Sequence, residues 1–124
     1  MSNAGTIESS GISGIDGINL RDGGSVANTG TAALISSGDY GIGVANAAGT
    51  VSNAGTIEGA NVGVSLGEGG SVANTGTAAR ISGGVDGVTV IAAAGTVSNA
   101  GTIEGTNSYG VYLTNGNALL LFSR

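Results

Sequence analysis

The stretch Gly49–Gly59 reads Gly-Thr-Val-Ser-Asn-Ala-Gly-Thr-Ile-Glu-Gly, and the same eleven residues recur as Gly95–Gly105. A second stretch, Gly23–Ala33, recurs letter for letter as Gly69–Ala79, again 46 residues later. Each stretch contains an asparagine followed two residues later by Gly-Thr, and the five such asparagines of the chain are spaced by 25, 25, 21 and 25 residues. A period in this range is typical of a solenoid, in which one structural unit stacks on copies of itself. The sequence therefore predicts a stack of coils whose repeating unit is a pair of coils.

Apolar residues two positions apart mark a second repeated element. The pattern Gly-(Ile/Val)-x-(Leu/Val) occurs five times, at positions 17–20, 41–44, 63–66, 87–90 and 110–113. Alternation with a period of two is typical of a half-buried strand, and no stretch carries an apolar stripe of helical period. We predict an all-β chain, a parallel β-helix (β-solenoid) of about five coils with 21–25 residues per coil.

Stacking converts the aligned sequence into columns, because equivalent residues of neighbouring parallel strands lie about 4.8 Å apart. Three inward apolar columns are predicted: Ile18, Ile42, Val64, Val88 and Val111; Leu20, Val44, Leu66, Val90 and Leu113; and Val26, Val51, Val72 and Val97. A fourth is expected to contain Ile7, Ala32, Ile57, Ala78 and Ile103, followed by an outward column of Glu8, Ala33, Glu58, Ala79 and Glu104. Alternation of glutamate with alanine keeps like charges two coils apart.

Two polar columns are also expected. The asparagines should stack inward as a structural ladder at a turn: Asn3, Asn28, Asn53, Asn74 and Asn99. A side-chain amide has two donors and an acceptor, so each can bond its own backbone and its neighbours, which favours a structural role over a catalytic one. The threonines should form an outward column: Thr6, Thr31, Thr56, Thr77 and Thr102. Threonine is favoured on strand surfaces, and an ice-binding array is the alternative interpretation.

Two further regions are candidates for interaction. The segment between the threonine and the next apolar ladder varies in length, so we expect any recognition surface at that edge, with Tyr40, Tyr109 and Tyr112 on or near it. The alternative is a row of surface turns without a binding role. The repeats span 1–116, with coils beginning near residues 2, 25, 50, 71 and 96, and 117–124 form an apolar strand or cap. Solenoid ends expose strand edges, so homo-oligomers could form through coil ends or through Leu119, Leu120, Leu121 and Phe122.

Composition excludes several classes of function. The net charge is −5, lysine and histidine are absent, and the three arginines are scattered, so we expect no nucleic-acid partner. Cysteine is absent and the nonapeptide repeat of calcium-binding β-rolls does not occur, so no metal and no cofactor are expected. No run is long enough for a transmembrane segment. Met1 leads directly into the repeat, which suggests a fragment of a longer protein.

The run Val-Ser-Asn-Ala-Gly-Thr-Ile-Glu-Gly at 51–59 and 97–105, followed by Gly-Val-x-Leu, resembles the repeats of bacterial autotransporter passenger domains and filamentous-haemagglutinin-like adhesins. The resemblance covers residues 2–116. It implies a right-handed parallel β-helix, the hand that β-crossover-β connections prefer. It also implies an extracellular position at the surface of a Gram-negative cell.

We therefore expect a non-enzymatic structural or adhesive segment of a secreted protein, self-associating or facing a host surface or glycan. The alternative function is a β-helix that binds or cleaves polysaccharide. Cleavage requires clustered carboxylates, or a carboxylate beside Lys, Arg or His, in a groove. The chain has no lysine or histidine, and Leu34 occupies the position that Arg80 holds in its own coil.

Overall fold

The computed structural model describes residues 1–9 and 13–114, together with the backbone of residues 118–121. Over these residues the chain forms strands and no helix, three strands to a coil. The first two coils contain β1 (Ser2–Asn3), β2 (Thr6–Ser9), β3 (Ile18–Leu20), β4 (Gly24–Asn28), β5 (Leu34–Ser37) and β6 (Tyr40–Val44). The next two contain β7 (Gly49–Asn53), β8 (Thr56–Gly59), β9 (Val62–Leu66), β10 (Gly70–Asn74), β11 (Arg80–Gly83) and β12 (Asp86–Val90). The last strands are β13 (Gly95–Asn99), β14 (Thr102–Gly105), β15 (Val111–Leu113) and β16 (Ala118–Leu121).

Equivalent strands of successive coils pair in parallel and build three sheets. Sheet A has the order β1-β4-β7-β10-β13-β16, sheet B has β2-β5-β8-β11-β14, and sheet C has β3-β6-β9-β12-β15. Every third strand is therefore a neighbour, which is the topology of a β-solenoid with about five turns. The fold class predicted from the repeats is confirmed. Among the described residues, none belongs to a helix long and apolar enough to cross a membrane.

The interior consists of the apolar columns that stacking creates. Ile42 pairs with Val64, and Val64 pairs with Val88, so the predicted sheet C columns are present in register. Val26, Val51, Val72 and Val97 likewise pair in sequence along sheet A and are fully buried. Each coil adds the same few side chains to the core, and burying each contributes roughly 1.5–3 kcal/mol.

Sheet B departs from the prediction in the second and fourth coils. Ile35 pairs with both Ile7 and Ile57, and Ile81 pairs with both Ile57 and Ile103. The core column is therefore Ile7, Ile35, Ile57, Ile81 and Ile103, and the prediction that Ala32 and Ala78 belong to it is wrong. Both alanines are exposed.

A longer turn explains the shift. In the second coil Gly30 has a φ of 92°, and Ala33 donates its backbone N–H to the Gly30 carbonyl at 3.1 Å. This left-handed step, which glycine adopts without steric cost, delays the strand until Leu34. In the third coil the strand begins at Thr56, directly after Gly55, and the Thr56 N–H bonds the Ala33 carbonyl at 2.9 Å. Long and short turns thus alternate, which explains the two-coil repeat.

The C-terminal strand continues sheet A. β16 pairs with β13, so that Leu119 lies in register with Val97 and Leu121 with Asn99. Phe122 lies outside the described residues, and the tail's proposed part in self-association stays a prediction.

Candidate functional site

The five asparagines form one continuous ladder along the corner between sheets A and B. Each side-chain Nδ2 donates to Oδ1 of the asparagine in the next coil, at 2.8–2.9 Å for the four successive pairs. Asn28, Asn53 and Asn74 are at most 1% exposed. A buried amide is costly unless its polar atoms are paired, and here each one bonds in both directions along the rod.

The ladder also holds the two kinds of turn. In the short-turn coils the asparagine binds the glycine two residues on: Gly55 donates its N–H to Oδ1 of Asn53 at 3.2 Å, and Asn53 Nδ2 donates to the Gly55 carbonyl at 2.8 Å. In a long-turn coil, Asn28 Nδ2 reaches the Ala33 carbonyl at 3.4 Å and the Thr56 carbonyl of the next coil at 3.1 Å. The amide therefore supports the backbone, and its atoms have little capacity left for a ligand.

The outward threonine column is not continuous, and this part of the prediction is wrong. The register of sheet B gives the column Thr6, Leu34, Thr56, Arg80 and Thr102. Thr31 and Thr77 lie instead on exposed long turns. The longer turn moves them out of the strand, so the regular array on which an ice-binding surface would depend is interrupted by Leu34 and Arg80.

The three glutamates share one column as predicted, but the residues between them differ from the prediction. The register of this column is Glu8, Ser36, Glu58, Ser82 and Glu104, so serines rather than Ala33 and Ala79 separate the glutamates. Arg80 forms an ion pair with Glu104, and both side chains are 46% exposed. Such an exposed pair contributes about 0.2–1 kcal/mol.

A groove follows this polar face of sheet B across four coils. It has a volume of about 320 Å³ and is lined by Ser36, Glu58, Arg80 and Ser82, with Gly59 and Gly83 among its other residues. Glu58 and Glu104 lie two strand spacings apart, about 9.6 Å. The groove therefore presents the Glu58 carboxylate, the Arg80 side chain and serine hydroxyl groups along the rod. Glu104, the ion-pair partner of Arg80, is not part of its lining. Among the residues that the structure describes, no three acidic side chains gather where a metal ion could be held.

The three tyrosines do not form one cluster. The rings of Tyr109 and Tyr112 stack, with centroids 5.6 Å apart and an interplanar angle of 24°. Tyr40 is half-buried and occupies the position in the second coil that Tyr109 occupies in the fifth. Three strand spacings, about 14 Å, separate these positions. The predicted edge thus carries a tyrosine pair at one end and a single tyrosine near the other.

Two aspartates fix the backbone beside these tyrosines. Asp16 Oδ1 accepts the N–H of Tyr40 at 3.3 Å, and Asp86 Oδ1 accepts the N–H of Tyr109 at 2.9 Å. In both places the carboxylate of one coil binds the backbone of the next. Both aspartates precede a glycine, and Asp-Gly by itself is typical of a turn. Their recurrence one coil before a tyrosine was the available signal for this contact.

No protein-family model, curated protein or solved structure matches this chain. The functional interpretation therefore depends on the geometry of the chain itself.

Proposed function

We propose that this chain is a non-enzymatic structural and adhesive segment of a secreted bacterial surface protein, in which stacked coils act as a rigid spacer. One observation supports the proposal above all: the same side chains recur in the same columns from coil to coil, with the asparagine ladder running unbroken through five of them. Length in such a stack is proportional to the number of coils, at about 4.8 Å each. A spacer needs this property.

The two-coil repeat offers a direct test. A second copy of residues 49–94 can be inserted after Ala94, because Gly95–Gly105 repeats Gly49–Gly59 and both junctions keep the native sequence. Two added coils should lengthen the particle by about 9.6 Å in small-angle X-ray scattering. The matched control deletes residues 49–94 and should shorten it equally. An inserted variant that loses its β-sheet circular dichroism, or does not lengthen, would contradict the spacer function.

Display outside the cell is tested separately. The chain, carrying an N-terminal epitope, is placed between a secretion signal and an outer-membrane anchor in a Gram-negative host. We expect protease added to intact cells to remove the epitope. An epitope that is cleaved only after cell lysis would count against the proposed location.

The groove on sheet B favours a second candidate function, the cleavage of a polysaccharide. Glu58 and Arg80 line the groove, and Glu104 lies outside this lining as the ion-pair partner of Arg80. An inverting glycosidase separates its two carboxyl groups by about 6.5–9.5 Å, and two strand spacings are close to that range. Release of reducing sugar by the chain, and its loss in Glu58→Gln, would support this candidate over the spacer.

A further inference from the structure

The stacked tyrosines expose aromatic surface in a chain that has very little of it. Three tyrosines and one phenylalanine are the only aromatic residues of the sequence. Tyr109 is 57% exposed and Tyr112 is 41% exposed, although each ring covers part of the other. The core does not account for rings in this position, because the inward columns beside them are already filled by Val111 and Leu113. The pair is available to a ligand.

The surface next to the pair carries hydroxyl groups. Tyr112 belongs to the outward column of sheet C, whose other members are Asn19, Gly43, Ser65 and Thr89. Ser65 and Thr89 have short, half-exposed side chains. Tyr112 therefore lies next to small residues of the same column, and the hydroxyl groups of Ser65 and Thr89 can both donate and accept hydrogen bonds.

Asp86 adds an acceptor at the same place. Its Oδ1 accepts the Tyr109 N–H, which leaves the carboxylate with further acceptor capacity. The equivalent Asp16 differs, because its Oδ2 accepts a hydrogen bond from Asn19 Nδ2 at 2.5 Å. Thr89 holds the corresponding position beside Asp86 and has no amide to donate in that way.

We propose that Tyr109, Tyr112, Asp86 and Thr89 form a binding site for a neutral saccharide. A pyranose ring has an apolar C–H face that packs on an aromatic ring and a rim of hydroxyls that need acceptors and donors, and this site presents both. The net charge of −5 and the pairing of Arg80 with Glu104 disfavour an acidic sugar. This inference deepens the adhesive part of the proposed function and rests on it.

Residues at equivalent positions in other coils indicate which substitutions the fold should accept. Val62 occupies the column position of Tyr109, and Ser65 that of Tyr112, so Tyr109→Val and Tyr112→Ser introduce residues that these columns already accommodate. Asp86→Asn keeps an oxygen that can accept the Tyr109 N–H while it removes the charge. Tyr40→Phe changes the half-buried tyrosine, and Glu58→Gln changes the groove on sheet B. Circular dichroism verifies the fold of each variant.

The experiment is calorimetric titration of the full chain with cellotetraose, laminaritetraose and chitotetraose, and with trigalacturonic acid as the acidic probe. We expect millimolar or tighter binding of at least one neutral probe, with affinity lowered roughly tenfold or more in folded Tyr109→Val and Tyr112→Ser. Asp86→Asn should weaken binding severalfold, and Tyr40→Phe and Glu58→Gln should leave it unchanged. The chain has no tryptophan, so tyrosine fluorescence reports the same titration independently.

Three results would overturn the proposal: no neutral probe binds at millimolar concentration, only the acidic probe binds, or affinity depends on Glu58 and not on the tyrosines. A chain that lengthens with added coils but binds no neutral saccharide refutes this inference and leaves the spacer function intact. Saccharide binding by a chain that fails to lengthen refutes the spacer instead.

Discussion

Asn53 donates its side-chain amide to Oδ1 of Asn74 at 2.8 Å, and Asn74 repeats the bond to the next coil. Both side chains are almost fully buried. The ladder is thus a chain of amides within the protein, in which each member completes the hydrogen bonding of its neighbour. Paired polar groups inside a low-dielectric interior stabilise the structure, and orphaned ones destabilise it strongly.

The first prediction concerns Asn53→Ala. The substitution leaves Oδ1 of Asn74 without its donor and the buried N–H of Gly55 without its acceptor. Each orphaned buried group costs about 1–3 kcal/mol, so we expect the free energy of unfolding to fall by about 2–6 kcal/mol. Urea denaturation followed by circular dichroism measures the change.

Asn61→Ala is the control for this prediction. Asn61 is exposed, and its side chain bonds Asp39 Oδ1 at the surface. Its removal should change the free energy of unfolding by no more than about 0.5 kcal/mol. Equal stability of the two variants would show that the ladder does not stabilise the fold.

The register of sheets A and C can be predicted from the sequence because each repeated motif in these sheets adopts the same conformation in every coil. The Val26 and Val51 column, and the Ile42 and Val64 column, follow strands of period two in every coil. Sheet B is different, since Gly-Thr after Asn53 begins a strand whereas Gly-Thr after Asn28 belongs to a turn. Identical dipeptides therefore adopt two conformations.

The signal that separates the two cases lies further along the chain. An isoleucine follows Asn53 by four residues but follows Asn28 by seven, and the isoleucine is the residue that fills the core. Burial of Ile35 and Ile81 selects the register, and the turn adjusts to it. The tyrosine pair was predictable only as an edge, because the stacking of Tyr109 on Tyr112 depends on how the corner before β15 folds.

The second prediction concerns the close approach of sheets B and C. A Cβ at Gly63 would lie 2.6 Å from the Gly87 carbonyl oxygen and 2.6 Å from Cγ2 of Ile81. One of these atoms is backbone of the next coil and cannot move alone. Gly63→Ala should therefore lower the free energy of unfolding by about 1–3 kcal/mol, the usual cost of overpacking, as measured by urea denaturation.

Gly5→Ala is the matched change without the clash, because a Cβ there meets nothing within 4 Å. It should leave stability within about 0.5 kcal/mol of the parent chain. If Gly63→Ala proved as stable as Gly5→Ala, the two sheets would have to lie further apart than the structure places them.

The third prediction concerns the Arg80–Glu104 ion pair of sheet B. Arg80 and Glu104 are both 46% exposed, so solvent screens their attraction. Arg80→Leu introduces the residue that Leu34 supplies at the same position two coils away. A double-mutant cycle of Arg80→Leu with Glu104→Gln should give a coupling energy of about 0.2–1 kcal/mol that decreases with added salt. A salt-independent coupling well above that range would contradict the exposed position of the pair.

The last prediction follows from a backbone strain that the repeat itself identifies. Ala92 has a φ of 64°, and Asn46, the equivalent residue one repeat earlier, has a φ of 61°. The left-handed region costs most residues about 1–2 kcal/mol, whereas glycine adopts it freely and asparagine tolerates it. Ala92→Gly should therefore raise the free energy of unfolding by about 1 kcal/mol, and Ala92→Asn should raise it by less.

Ala94→Gly, an exposed change outside the left-handed region, should lower the free energy of unfolding by about 0.4–1 kcal/mol because glycine gains entropy in the unfolded chain. Substitution of alanine by glycine should thus change the free energy of unfolding in opposite directions at two positions that are two residues apart. If urea denaturation found changes of the same sign for both variants, Ala92 would not be strained.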